Sequence, residues 1–349
     1  MAALAALALA ALAAFVPLAA AQADTTGTKL AAAPGYTLGS NVAGYLGVSA
    51  DVCEYKAALA KATPDFAAAK AIYTQGKNSK KSDGKLRTLQ GLARTAGAGE
   101  PFWDLYTKHF KTPSFVDALA TAALDGVAPY TQPLARREVA AKAVEAGLMT
   151  AYMMHEMDEA GYKISELKEF DAKEGAPHNV DEVFALYVGG KTECAPWTLA
   201  NKRASAFGTC APGVGSKANA EMVKALAAAQ AAAGKGDMKA FTAARSKVQS
   251  LLANIFVQAT IEYASLMDKN LAAGEPTDEY QGEAYGFFSA IEPLVAQASA
   301  SSAAAVAKLL KPGTPAAPGT AAAVTAALEK AYAGLGITAA DVGVYGTKC

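Results

Sequence analysis

The chain holds 349 residues with 32 basic and 32 acidic side chains, so its formal net charge is zero. Lacking a basic face, it is not built to track a nucleic-acid backbone, and 52% hydrophobic against 18% charged residues excludes wholesale disorder. The length suffices for one large domain or two modest ones, and abundant alanine with few β-branched runs points to helices.

In chain order, residues 1 to 21 carry no charge and run into Ala21-Gln22-Ala23 ahead of Asp24. That stretch is long enough to cross a bilayer. Its terminal place, Pro17 and the A-x-A site read instead as a secretory signal peptide over 1–23, cleaved to leave a mature chain beginning near Asp24. No membrane span is expected after cleavage. Residues 24–50, rich in Gly, Thr and Ser, read as an irregular segment wrapped over the surface. Helical spacing starts at Asp51 through Val52, Tyr55 and Leu59 and stops at Pro64. A second helix is predicted over 65–75, followed by a solvated basic loop from Lys77 to Lys85. Further helices are predicted over 114–124, 136–159, 180–188, 219–233, 237–273, 279–298, 301–310 and 320–334, with no alternating strand pattern. The expected fold is an all-α helical bundle without substantial sheet, residues 51–349 forming a single domain.

Two stretches resemble each other. A long helix ending in Met157-Asp158 leads to Glu182-Val183-Phe184-Ala185-Leu186-Tyr187, and one ending in Met267-Asp268 leads to Glu283-Ala284-Tyr285-Gly286-Phe287-Phe288. The spacing suggests two related halves, 51–215 and 216–349, rather than a solenoid. Four cysteines in an exported chain read as two disulfides with three possible connectivities. The expected pairs are Cys194–Cys210, closing a short loop, and Cys53–Cys349, tying the ends together. The alternative gives Cys194 and Cys210 each a distant partner.

Chemistry concentrates around histidine. Of three histidines, His109 lies in Lys108-His109-Phe110-Lys111 and reads as a surface residue. The other two share the pattern H-x-x-D-E: His155-Glu156-Met157-Asp158-Glu159 and His178-Asn179-Val180-Asp181-Glu182. With 32 acids in 349 residues, a given His meets that acidic pair about once in a hundred cases, so two hits from three are not random. On a helix, positions i, i+3 and i+4 share a face, so each imidazole converges with carboxylates. That donor mix suits iron, manganese or zinc rather than calcium, and helical bundles hold such ions between facing helices. The candidate ligands are His178, Asp181, Glu182, Glu283, His155, Asp158, Glu159, Glu262 and Tyr280. Glu262 is an acid inside an apolar helix, Glu283 matches Glu182 in the second half, and Tyr280 stands before Glu283 where a phenolate would favour ferric iron. Glu156 reads as a surface salt-bridging acid. No GxSxG elbow, Walker loop, HExxH or dinucleotide fingerprint is present.

Three segments carry a family likeness: His178-Asn179-Val180-Asp181-Glu182-Val183-Phe184-Ala185-Leu186-Tyr187-Val188-Gly189, the upstream Lys85-Leu86-Arg87-Thr88-Leu89-Gln90-Gly91-Leu92, and the downstream Gln281-Gly282-Glu283-Ala284-Tyr285-Gly286-Phe287-Phe288-Ser289-Ala290-Ile291-Glu292-Pro293. Together they resemble the low-iron-inducible periplasmic, or iron-assimilating, proteins of algae over nearly the whole mature chain. The resemblance implies a secreted protein of the periplasmic or cell-wall space that promotes iron assimilation by binding the ion rather than transforming a substrate. By that likeness His178, Asp181, Glu182 and Glu283 have the best claim as ligands, with iron (Fe2+ or Fe3+) as cargo and a cell-surface iron uptake system as partner. Tyr280 stands where the family pattern has a His, and Val183 and Leu186 where it has bulkier aromatics. The rival readings are a secreted di-iron redox enzyme of ferroxidase type and a structural cell-wall protein without metal.

Overall fold

A computed structural model describes residues 23–95, 97–213 and 215–349. Apart from Ala23, the expected signal peptide lies outside the described residues. Their regular structure is entirely helical, with a single isolated bridge between Lys80 and Leu86 and no strand. The helices are α1 Val48–Leu59, α2 Phe66–Gln75, α3 Pro101–Phe110 and α4 Phe115–Asp125. Next, α5 runs unbroken over 133–167 as Pro133–Lys142, a π-helical segment Ala143–Leu148, Met149–Tyr162 and a second π segment Lys163–Leu167. Then follow α6 Ala176–Val188, α7 Pro196–Phe207, α8 Lys217–Lys235, α9 Met238–Ala273, α10 Asp278–Ser289, α11 Glu292–Ala298, α12 Ala300–Leu310 and α13 Thr320–Glu329. Single turns of helix occur at Ala43–Leu46, Leu89–Ala93, Tyr332–Leu335 and Ala339–Val342. Among the described residues no helix is long and apolar enough to cross a membrane.

The predicted helices are present, those predicted over 136–159, 180–188, 219–233 and 301–310 being longer than expected, and α3 and α7 are additions. Both open with proline at the first turn, where its missing N–H costs nothing. The same rule splits the predicted 279–298, because Glu292-Pro293 begins a new helix. The predicted 320–334 is likewise interrupted, resuming as the turn Tyr332–Leu335.

The two longest helices set the frame. α9 packs along α8 on one side and α10 on the other, while the Met149–Tyr162 stretch of α5 packs on α6 and its Pro133–Lys142 stretch on α10. The buried apolar core runs from Ala33 to Val342. The segment before α1 is more deeply set than a surface wrap. Tyr36, Leu38, Ser40 and Val42 are buried, and the Tyr36 ring stacks on Phe184 with centroids 4.0 Å apart.

The disulfides join Cys53 to Cys194 and Cys210 to Cys349, with Cα atoms 5.3 and 6.0 Å apart. The expected pairing is therefore corrected to the alternative in which Cys194 and Cys210 take distant partners. The reason is α7: its 12 residues stand between Cys194 and Cys210 as a rod about 18 Å long, and a disulfide needs Cα atoms within about 7 Å. Cys194 instead lies in a 3-10 turn against α1, and Cys210 meets the C-terminal strip, where Val344 N–H donates to Phe207 O and Gly346 N–H to Ala206 O.

Candidate metal centre

The central stretch of α5 lies between α3 and α6. One turn apart on it, His155 and Glu159 share a face. Facing them is Glu100, the residue just before α3. Pro101 bars it from helical backbone, and it sits extended at φ −81°, ψ 130°. Its Oε1 lies 2.7 Å from His155 Nδ1, and one ligand atom from each of Glu100, His155 and Glu159 falls within 4.8 Å of the other two. Among the described residues, this is the group of three His, Cys, Asp or Glu side chains close enough to hold an ion. A cleft of about 590 Å³ lined by Gly99, Glu100, Pro101, Asp158, Glu159 and Arg245 gives access to the carboxylates.

Burial raises the Glu100 pKa against the opposing pull of His155, and its Oε2 is buried with no hydrogen-bond partner. Burial disfavours a charged His155, but the bond to Glu100 and the charges of Glu156, Glu100 and Glu159 outweigh it, so its pKa is raised. The cluster thus concentrates negative potential on one imidazole and holds a proton where a metal ion would compete for it.

In both H-x-x-D-E motifs the aspartate is used elsewhere. Asp158 Oδ1 accepts from Arg245 Nε at 2.6 Å and its Oδ2 from the Phe102 N–H at 3.3 Å, bracing α5 against α9 and α3. Asp181 is fully buried and accepts from Tyr36 OH (2.8 Å), Gly39 N–H (2.9 Å), Ser40 Oγ (2.6 Å) and Gln230 Nε2 (2.6 Å). It pins the N-terminal segment to α6 and α8. The acid that meets the histidine is the glutamate at i+4 in each case, His178 Nε2 lying 3.0 Å from Glu182 Oε1.

Residues 4–348 match the family described as "Low iron-inducible periplasmic protein". The chain belongs to that family. No curated protein and no solved structure is significantly similar to it. The family is described as periplasmic, which agrees with the location expected from the sequence.

In this family member the second motif is arranged differently from the first. His178 Nδ1 lies 2.8 Å from Ser40 Oγ, and burial, followed by the Lys163 charge, lowers its pKa. Behind it, Glu182 shares a hydrogen bond with Glu156, which also accepts from Asn179 Nδ2 (2.7 Å) and Tyr45 OH (3.2 Å). Glu156 is buried at 3% exposure, which corrects its reading as a surface salt-bridging acid. Burial, then the neighbouring Glu182 charge, pushes its pKa up to about 8.

A carboxyl that keeps its proton to a higher pH in the fold than in the unfolded chain stabilises the fold at low pH. That stability is lost as the pH rises through the folded value. Glu156→Gln supplies a permanent donor toward Glu182. Thermal midpoints of the variant are expected to fall less than wild type between about pH 5 and pH 9; parallel profiles would contradict the shared proton.

The remaining acidic candidates, Glu283 and Glu262, are paired with cations of the protein itself. Lys142, buried on α5, places Nζ 3.2 Å from Glu145 Oε2, 3.3 Å from Glu283 Oε1 and 3.6 Å from Glu138 Oε2, and Lys56 also pairs with Glu145. An ammonium sits at the centre of that acid cluster, and it works against the burial that raises the Glu283 pKa to about 7. Glu262 Oε2 lies 3.1 Å from Arg203 Nη1. Tyr280 packs on Tyr263 with ring centroids 6.3 Å apart. His109 is half-buried rather than at the surface and pairs with Glu292 at 3.2 Å.

Sequence reading missed Glu100, 55 positions from its histidine, and the buried lysine. For Glu100 the usable signal was Glu-Pro at the head of a helix with Phe102, Trp103 and Tyr106 on one face. Lys142 lies between Ala140-Ala141 and Ala143-Val144, a charge inside an apolar helical run as Glu262 is.

Proposed function

We propose that this protein binds iron in the periplasmic space through Glu100, His155 and Glu159 and promotes its assimilation by passing it to a cell-surface uptake system. The observation that carries the reading is the approach of those three ligand atoms to within 4.8 Å beside an open cleft. Two carboxylates and an imidazole form a hard-to-borderline donor set suited to iron. The unpartnered Glu100 Oε2 is a buried acceptor that a cation would satisfy. Three protein ligands leave further positions for water or a small oxygen chelator, as a carrier that must release its cargo requires.

Of the other sequence candidates, Asp158 and Asp181 act in this reading as struts, and Glu182 shares a buried proton with Glu156 while half-buried His178 pairs with it. Glu262 and Glu283 are neutralised by arginine and lysine. The ion is cargo and is not turned over. Ferrous salt added in an oxygen electrode should give uptake of a fixed number of ions per chain without continuing oxygen consumption; sustained consumption would instead establish a ferroxidase.

Metal binding must displace the proton held between Glu100 and His155. Apparent iron affinity is therefore expected to rise with pH through the raised His155 pKa and level off above it. Competition titration against a calibrated chelator at several pH values would measure this, and a flat profile would argue against these ligands.

A further inference from the structure

Away from the Glu100, His155 and Glu159 cluster, α3, α4, the π segment Ala143–Leu148 and α10 line a pocket of about 250 Å³ that opens to solvent on one side. Tyr106, Phe110, Phe115, Leu119, Tyr130 and Tyr285 form most of its wall, and no Asp, Glu, Lys, Arg or His lines it. An apolar concave pocket with few polar groups is the usual seat of a small ligand. Packing does not impose this one. A Cβ placed on Gly147, which borders the cavity, would meet only the Lys142 carbonyl oxygen, at 4.0 Å. Gly147 also lies in a π segment, an irregularity found most often at functional sites.

The hydroxyls on the wall show what would fit. Tyr106 OH donates to Ala290 O at 2.7 Å and Ser289 Oγ to Gly286 O at 2.7 Å, so both protons are committed. Thr112 Oγ1 accepts from the Ser114 N–H at 3.3 Å and Tyr285 OH accepts from Tyr130 OH at 3.4 Å, which leaves both protons free to donate, that of Tyr285 among the aromatic side chains. An apolar cavity of about 150 Å³ is known to take benzene, so this one has room for a second ring or a substituent.

We propose that this cavity is a binding site for a neutral one- or two-ring aromatic molecule bearing a hydrogen-bond acceptor, which takes its hydrogen bond from Tyr285. The absence of charge on the wall selects against ions, and the aromatic wall favours a flat ring over an alkyl chain. The site is separate from the iron reading and stands whether or not that reading holds.

The test uses 1-indanone, a bicyclic ketone, with indane lacking the acceptor and indane-1-carboxylate adding a charge. Calorimetric titration of the full chain should show 1-indanone binding, with indane about tenfold weaker and the carboxylate weaker still. Tyr285→Phe should bring 1-indanone down to the level of indane. Gly147→Leu and Ala122→Leu fill the space from different helices, so misfolding of one leaves the other informative. Both should abolish binding while iron loading stays as in wild type. Absence of 1-indanone binding to wild type, or equal binding by the folded filled variants, would overturn the proposal. Equal affinity for the ketone and indane would remove the role of Tyr285.

Discussion

Replacing His155 with alanine is expected to weaken iron binding at least 100-fold, whereas His178→Ala should leave it within a few-fold of wild type. The two residues sit in the same H-x-x-D-E pattern, so the contrast comes from their surroundings. His155 faces two carboxylates, Glu159 on its own helix and Glu100 from the head of α3, with a cleft beside them. His178 is shared between Ser40 and Glu182, and Glu182 already shares a proton with Glu156. Altering the groups that merely orient metal ligands commonly costs 10–100-fold in affinity, so loss of a ligand itself should exceed that range. Iron content after gel filtration, with far-UV circular dichroism as the control for folding, gives the measurement. If His178→Ala lost the iron and His155→Ala kept it, the centre would have to be moved to α6.

The second large effect concerns the disulfides. Each closes a loop of about 140 residues, the sequence separations being 141 and 139. By the chain-entropy relation, a loop of that size removes about 5 kcal/mol of unfolded-state freedom, an upper figure because native strain and residual structure reduce it. Loss of either bond thus approaches the whole stability of a typical domain. Serine replacement of Cys53 with Cys194, or of Cys210 with Cys349, should shift the denaturant midpoint sharply downward. Replacement of both pairs should leave little cooperative unfolding at 25 °C. Midpoints within error of wild type would mean that the hydrophobic core alone sustains the fold.

The helices legible in the sequence were those whose apolar spacing runs long enough to stand out, above all α5 and α9. Those that escaped begin with proline. Pro101 and Pro196 read as breakers when followed along the chain, yet each opens a helix, because proline is tolerated where no intrahelical N–H bond is due. Missing α7 had a direct consequence, since without it Cys194 and Cys210 seemed close enough to pair. The π segments flanking Met149–Tyr162 leave no trace in residue type, being set by tertiary packing.

The candidate metal centre was half legible for a related reason. Spacing along one helix reveals His155 with Glu159, but Glu100 reaches them through the docking of α3, which no local pattern encodes. The twin motifs were noticed, while the opposite destinies of their histidines depend on neighbours contributed by other helices. Lys142 shows the same limit from the other side. A matching acid, Glu283, was found by analogy with Glu182, and the lysine that neutralises it lies 141 positions upstream.

The two crosslinks follow one another along the chain without interleaving, Cys53–Cys194 closing before Cys210 is reached. For a polypeptide threaded from its N-terminus into an oxidising compartment, the first pair can lock while the later thiols are still inside. When Cys210 and Cys349 emerge, each has only the other left to oxidise with. Emergence in that order favours this pairing over the other two that four cysteines allow.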